Sequence, residues 1–335
     1  MIPPSDHPPI PPAKVGVLLI NLGTPNSPEP GSVRLYLKEF LSDPRVVEIP
    51  QLVWQPILRG IVLTTRPKKS ALAYKQVWTE EGSPLAAITS RQAKALVGAF
   101  GEGVVIDHAM RYGKPAIRER LAALKAQGCE RILIAPLYPQ YCAATTATAN
   151  DESFALLRGM RWQPAVRTLP PYFDDPSYID ALKRMLMQQL EALDFEPQAI
   201  IASFHGMPQR TLELGDPYHC HCQKTARLLS KAMGRELMVA FQSRFGRAKW
   251  LEPATDVTLA ELPKKGITKV AIFAPGFSAD CLETLEELAI RGRETFLEAG
   301  GTHFAYLPCL NDSEPGMDML RSLIGRELAG WVSAA

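Results

Sequence analysis

The chain has 335 residues, 46% of them hydrophobic and 21% charged, with a formal net charge of +2. That apolar content can fill a large core, and the length suits two domains better than one. Lys and Arg are scattered among Asp and Glu with no basic tail, so no nucleic-acid partner is expected. Residues Met1 to Lys14 are Pro-rich and lack an apolar h-region, and no apolar stretch is long enough to span a bilayer. With six dispersed cysteines and no disulfide-like density, the expected location is a reducing cytoplasm.

Short apolar runs alternate with longer helix-period segments, the pattern of βαβ units and a parallel sheet. Strands are expected at Lys14–Asn21, Val104–Arg111, Arg131–Tyr138, Ala165–Leu169, Gln198–His205, Glu236–Gln242, Lys269–Pro275 and His303–Pro308. Most are near-continuously apolar, as when helices cover both faces of a sheet. Helices are expected at Ser32–Leu41, Pro84–Phe100, Ala116–Gln127, Tyr178–Leu193, Cys222–Met233 and Asp280–Ala299, the last stopped by Gly300-Gly301. A further helical period covers Asp318–Trp331. The series divides near Gly159–Pro171 into halves of similar rhythm without a sequence repeat.

Ligands of open α/β sheets sit beyond the carboxyl ends of the strands, so the residues after each strand carry the information. There is no G-x-G-x-x-G, no P-loop, no G-x-S-x-G and no H-E-x-x-H, which removes four common enzyme classes. The strand ends instead deliver Asn21-Leu22-Gly23, Met110-Arg111-Tyr112-Gly113, Tyr138-Pro139-Gln140-Tyr141, Ser203-Phe204-His205-Gly206 and Gln242-Ser243-Arg244, with Trp250 beyond. Aromatic rings and cations there suit a flat, largely apolar, anionic ligand. His205 by itself is as often an ordinary loop histidine, and Glu283 by itself ordinary compensation of a helix dipole. Glu283 and Glu287 share a helix face at i and i+4, and with a histidine they offer N and O ligands for a divalent first-row metal.

These segments, with Phe40–Val47, Glu81-Gly82-Ser83-Pro84-Leu85, Gly215-Asp216-Pro217-Tyr218 and Glu283-Thr284-Leu285-Glu286-Glu287, resemble the ferrochelatase family in order from about Val15 to Asn311. The details look most like the proteobacterial branch. The resemblance implies an α/β fold of two Rossmann-like domains, each a parallel four-stranded sheet flanked by helices, with the active-site cleft between them. The domains would be 13–164 with a porphyrin-contacting lip at about 51–85, then 165–315, then a C-terminal helix 316–335 packing back on the first. It implies a lyase that inserts Fe(II) into protoporphyrin IX to give protohaem, the last step of haem biosynthesis, with release of two protons.

The resemblance carries His205 and Glu283 over as the catalytic and metal-facing pair, with Glu287 continuing the acidic track. Arg111 and Tyr112 would face the macrocycle from the opposite side, with Leu22 an apolar wall and Tyr74, Ser83, Tyr138 and Trp250 on or near the cleft. A neutral histidine with a pKa near working pH suits the removal of pyrrole protons. Four residues past Glu287, where some relatives keep an acid, stands Arg291, so the track is shorter here. The rivals are a chelatase for another metal or for coproporphyrin and, in a different class, a haem- or metal-binding protein without turnover.

Fe(II) is then a substrate and no cofactor is required for catalysis. Some relatives bind a [2Fe–2S] cluster on a C-terminal cysteine tail. This chain ends Gly330-Trp331-Val332-Ser333-Ala334-Ala335 without one, so a cluster is not expected. Ligation by Cys142, Cys220 and Cys222 from separate segments stays open to an absorption spectrum. The His219-Cys220-His221-Cys222 run is read as polar residues entering a helix rather than as a metal site. The apolar stretch Leu52–Leu63, with Trp54 and a basic edge of Arg66, Lys68 and Lys69, is read as an interfacial segment rather than a core helix. Expected partners are therefore porphyrin, ferrous iron, inner-membrane lipid at the periphery and a preceding haem-pathway oxidase.

Overall fold

The computed structural model describes residues 13–246 and 248–332. In chain order the first half holds β1 (Lys14–Thr24), α1 (Pro30–Leu41), α2 (Gln51–Ile57), a π-helical segment Leu58–Val62, α3 (Leu63–Val77), α4 (Pro84–Ala95), β2 (Val104–Gly113), α5 (Ile117–Ala126), β3 (Cys129–Pro136), a π-helical segment Ala143–Ala147, α6 (Thr148–Arg158) and β4 (Ala165–Thr168). After α7 (Pro176–Glu191) come β5 (Ala199–His205), α8 (Gln209–Glu213), α9 (Tyr218–Met233), β6 (Met238–Gln242), α10 (Thr255–Glu261) and β7 (Lys269–Phe273). A π-helical segment Glu283–Gly292, α11 (Arg293–Glu298), β8 (His303–Leu307) and α12 (Glu314–Glu327) complete the fold.

Two four-stranded parallel sheets result, ordered β2-β1-β3-β4 and β6-β5-β7-β8. The orders are the same in the two halves: the chain builds outward on one side of the first strand, then crosses to the other. Each sheet therefore has its switch point between its first and third strands, at β1/β3 and at β5/β7, and a crevice opens beyond their carboxyl ends. The site must be sought there.

The strands alternate as a pleated chain should. Val15, Val17 and Leu19 of β1 face a shared core, while Leu18 and Ile20 face the layer built by Ile117, Leu121 and Leu124 of α5. The shared core also takes Ile200, Ala202 and Phe204 of β5, Leu182 and Leu186 of α7, and Leu320 and Ile324 of α12. Hydrophobic side chains thus join the two sheets through α7 and α12. Gly23, at φ +112° just before the end of β1, runs so close to β2 that a Cβ there would lie 1.8 Å from the Tyr112 carbonyl oxygen.

The structure moves several expected boundaries. Residue 165 does not open the second domain: β4 pairs with β3 in the first sheet, and the division falls in the loop after Thr168. Backbone pairing decides this, because four residues at the edge carry no side-chain label for one sheet. The C-terminal helix begins at Glu314, capped by the Ser313 hydroxyl, and ends at Glu327 rather than running to Trp331. The helix expected over Asp280–Ala299 starts at Glu283 and is π-helical through Gly292. The stretch read as one interfacial segment is α2, a π turn and α3, running through Pro56 and Pro67. A π turn absorbs the register change that an internal proline forces. Trp54 does not face outward: it is buried and donates its indole N–H to the Leu41 carbonyl at 2.6 Å.

Candidate active site

His205 is the last residue of β5, beside Gln242 of β6. Its Nδ1 lies 2.7 Å from the Gly206 carbonyl oxygen. A carbonyl can only accept, so Nδ1 carries the hydrogen and Nε2 keeps the basic lone pair. Gly206 donates to the Gln242 carbonyl at 2.7 Å, and a Cβ at this position would meet that oxygen at 2.5 Å and the Trp250 ring at 3.3 Å. The glycine thus lets Trp250 sit beside the histidine. Phe277 flanks the imidazole at a centroid distance of 6.4 Å.

Glu283 opens the π segment after β7. Its backbone carbonyl accepts from Gln242 Nε2 at 2.8 Å, and Gln242 Oε1 in turn accepts from Ser203 Oγ at 2.8 Å. One buried glutamine therefore fixes the segment against β5 and β6. Upstream, the buried Asp280 carboxylate accepts from Thr284 Oγ1 at 2.9 Å and from Asn311 Nδ2 at 2.6 Å, and Tyr306 donates to it as well. The Glu283 side chain faces a cluster of phenols. Burial pushes the hydroxyls of Tyr36 and Tyr74 well above their ordinary pKa, and the Glu283 carboxylate adds to the shift of both.

Glu287 sits one turn on, held at both oxygens: Ser243 donates its N–H at 2.7 Å and its hydroxyl at 2.5 Å. To do so Ser243 adopts φ +65°, a left-handed conformation that costs a non-glycine residue about 1 kcal/mol or more. Burial raises the Glu287 carboxyl above its usual value, and the Ser243 bonds and the neighbouring His205 oppose the rise without cancelling it. Arg291 pairs with Glu286 at 2.8 Å and reaches Glu287 at 3.9 Å. A polar cavity of about 140 Å³ lies beside this turn, lined by Ser243, Asp256, Glu287 and Arg291.

The opposite wall comes from the first sheet. Leu22, near the end of β1, packs against Leu85, Ile88, Phe277 and Cys281 at the seam between the lobes. Ser83 is buried at the N-cap of α4, and Tyr74 is buried on α3 next to Leu282. The Tyr138 hydroxyl is buried with no hydrogen-bond partner among the described residues and lies in the electrostatic reach of Tyr112 and Arg111. Arg111 donates to Asp43 at 2.6 Å and to Thr148, and the Tyr112 hydroxyl donates to Asp43 at 2.8 Å. Tyr112 departs from the expected picture: its ring is fully buried, edge-on to Phe40 at 5.1 Å, so it contributes through Asp43 and Arg111.

The structure thus gathers His205, Glu287 and Trp250, sets Glu283 near Tyr74, and packs Leu22 in one cluster with Phe277, the ring that flanks the histidine. A larger groove, about 1090 Å³, lies outside Arg111 and Asp43 rather than beside His205. Asp43, Asp280, Gln242 and Ser243 are the residues whose roles sequence reasoning missed. Asp43, Gln242 and Ser243 fall in the quoted segments and Asp280 at the start of an expected helix, but nothing local signals their partners. The cysteine-histidine run lies on α9, where His221 stacks on Phe173 at 3.6 Å and accepts from the Tyr141 N–H. Cys142 and Cys222 are buried and Cys220 is exposed. Among the described residues no three His, Cys, Asp or Glu side chains gather to hold a metal ion.

Two parallel four-stranded sheets with a site at paired switch points define a chelatase-type fold. SirB from Bacillus subtilis with Fe3+ superposes with a TM-score of 0.58 at 14% identity, covering 95% of this chain and 97% of that one. CbiX, the terminal enzyme for biosynthesis of siroheme in denitrifying bacteria, superposes at 0.51 and 13%, covering 93% and 98%. At these identities the likeness shows the fold. Sequence goes further. The profile of the family described as Ferrochelatase matches residues 14–328. The ferrochelatases of Rhizobium meliloti (strain 1021) and Agrobacterium fabrum (strain C58 / ATCC 33970) are 53% and 52% identical, each covering 98% of this chain and 99% and 98% of their own lengths. The chain belongs to the ferrochelatase family, and its activity is that of a metal-chelating lyase.

Proposed function

We propose that the chain inserts Fe(II) into protoporphyrin IX, releasing two protons and forming protohaem, with His205 Nε2 taking the pyrrole protons. The observation that carries this is the Nδ1–H bond to the Gly206 carbonyl, which leaves Nε2 the only basic ring nitrogen. An imidazole nitrogen with a free lone pair can accept a proton, and the pyrrole nitrogens must lose both protons before four lone pairs can bind the metal. Glu283 supplies negative charge that favours the cation and the departing proton alike. Glu287, with its raised carboxyl, accepts a proton more readily than an ordinary carboxylate, and the polar cavity beside it offers an outlet. Leu22, Trp250 and the Tyr138 side supply apolar walls on which a flat macrocycle can be held and bent, using binding energy remote from the reacting atoms.

The test is an anaerobic assay of Fe(II) with protoporphyrin and with coproporphyrin, following haem absorbance and proton release together. Two protons per haem and faster turnover of protoporphyrin are expected. Preference for coproporphyrin would replace the substrate, and tight haem retention without turnover would favour a binding protein. N/O ligands also accept zinc, so Zn(II) insertion is expected in vitro.

A second reading concerns the lip. No helix among the described residues is long and apolar enough to cross a membrane. The surface of α2 and the π turn after it nonetheless leaves Leu52 93% exposed, with Val53, Ile57 and Ile61 beside it. Arg59, Lys68 and Lys69 lie in the same stretch, a combination suited to peripheral contact with anionic lipid.

A further inference from the structure

The placement of Arg111 beside the macrocycle, on which this inference rests, raises an electrostatic difficulty. A bare guanidinium at that wall would repel an arriving divalent cation, since charge pairs in a partly buried site interact far more strongly than in water. The structure answers with a single carboxylate. Asp43 Oδ2 accepts from Arg111 Nη2 at 2.6 Å, from the Tyr112 hydroxyl at 2.8 Å and from the Thr148 hydroxyl. Its Oδ1 accepts from the Arg45 N–H at 2.8 Å. The side chains of Arg111 and Asp43 are only 14% and 6% exposed. Thr148 also takes Arg111 Nε, at 2.7 Å through its hydroxyl and 3.0 Å through its carbonyl.

Such a pair is not explained by stability alone. Buried ion pairs are often no better than well-packed apolar residues, and a neutral acceptor would hold the same shape. Burial acts to raise the Asp43 carboxyl, but the bonds from Thr148, Arg45 and Tyr112 and the Arg111 charge outweigh it and keep the group below the usual carboxylate range. Asp43 is therefore ionised throughout the working pH range. We propose that Asp43 is a positioning residue that fixes Arg111 in one orientation and cancels its charge, so that Fe(II) approaches a neutral wall. Both residues also line the outer groove, so solvent reaches the pair from that side.

The experiment is a double-mutant cycle of Asp43→Asn and Arg111→Met, with anaerobic Fe(II) kinetics corrected for folded protein by thermal melting. Porphyrin affinity is read separately by fluorescence quenching. Asp43→Asn unmasks the cation and is expected to raise KM for Fe(II) on the order of tenfold, with porphyrin affinity nearly unchanged. Asp43→Asn in the Arg111→Met background, where no charge remains to unmask, is expected to add less than about threefold. If Asp43→Asn alone does not fold, the smaller neutral variant Asp43→Ser takes its place in the same cycle with the same expected outcomes. An unchanged Arg111→Met overturns the placement of that arginine beside the ring, and this inference with it. A changed Arg111→Met with an inert Asp43→Asn, or with effects that multiply in the double variant, overturns the role of Asp43 alone.

Discussion

The two walls of the cleft are built on the same strand order yet are chemically opposite. On the second-sheet wall, His205 keeps a free basic nitrogen, and Glu287 sits in a burial that raises its carboxyl. On the first-sheet wall, Arg111, Tyr112, Asp43 and Thr148 spend their polar groups on one another. Groups whose hydrogen bonds are closed internally cannot exchange protons cheaply, but they hold a surface rigid. One topology can thus supply a reactive face and a passive one, according to which valences the loops leave open.

The largest test of that contrast is His205→Ala. Loss of a general base costs about 10²–10⁴-fold, so haem formation should fall by that order while porphyrin still binds, as read by fluorescence quenching. Retained activity would remove the reactive wall altogether.

Glu287→Gln comes next, with kcat expected to fall about tenfold if the carboxyl relays protons. Its stability signature has a definite sign. A carboxyl whose pKa is raised in the fold stabilises the protein below its unfolded value and loses that contribution as pH rises through the folded value. The glutamine variant should lack this decline and melt about 2 °C higher than the parent above that range. An identical pH–melting profile would count against the raised carboxyl. Ser243→Ala removes one of two donors to Glu287 and should push the carboxyl higher still, with a fall in kcat of about threefold and an upward shift of the acid limb of the rate profile. The smallest effect belongs to the lip: Leu52→Asp with Ile61→Asp should reduce flotation with anionic liposomes, and undiminished flotation would place lipid contact elsewhere.

Much of the fold was legible because each strand is an apolar run between helix-period segments. All eight strands, β1 to β8, lie within a few residues of where the sequence puts them. The three π segments were not legible, because a periodic pattern reads the same through one extra residue in a turn. The helices across Pro56 and Pro67 were obscured for the converse reason: proline signals a stop unless a π turn relieves it. Of the site, His205, Glu283, Glu287 and the aromatic strand ends could be named from motifs. Asp43 could not be given a role, since its partners lie 68 and 69 residues away.

Periodicity and ordered motifs are local, so the sequence already marked a two-sheet α/β chelatase with a histidine ending one strand and two glutamates on one helix face. Tertiary structure alone decided that β4 joins the first sheet, that Trp54 turns inward and that Tyr112 is closed off from the cleft. It alone decided that Arg111 is neutralised by Asp43. Those outcomes rest on backbone pairing and on contacts between distant segments, and only the packed chain brings such groups within hydrogen-bonding reach.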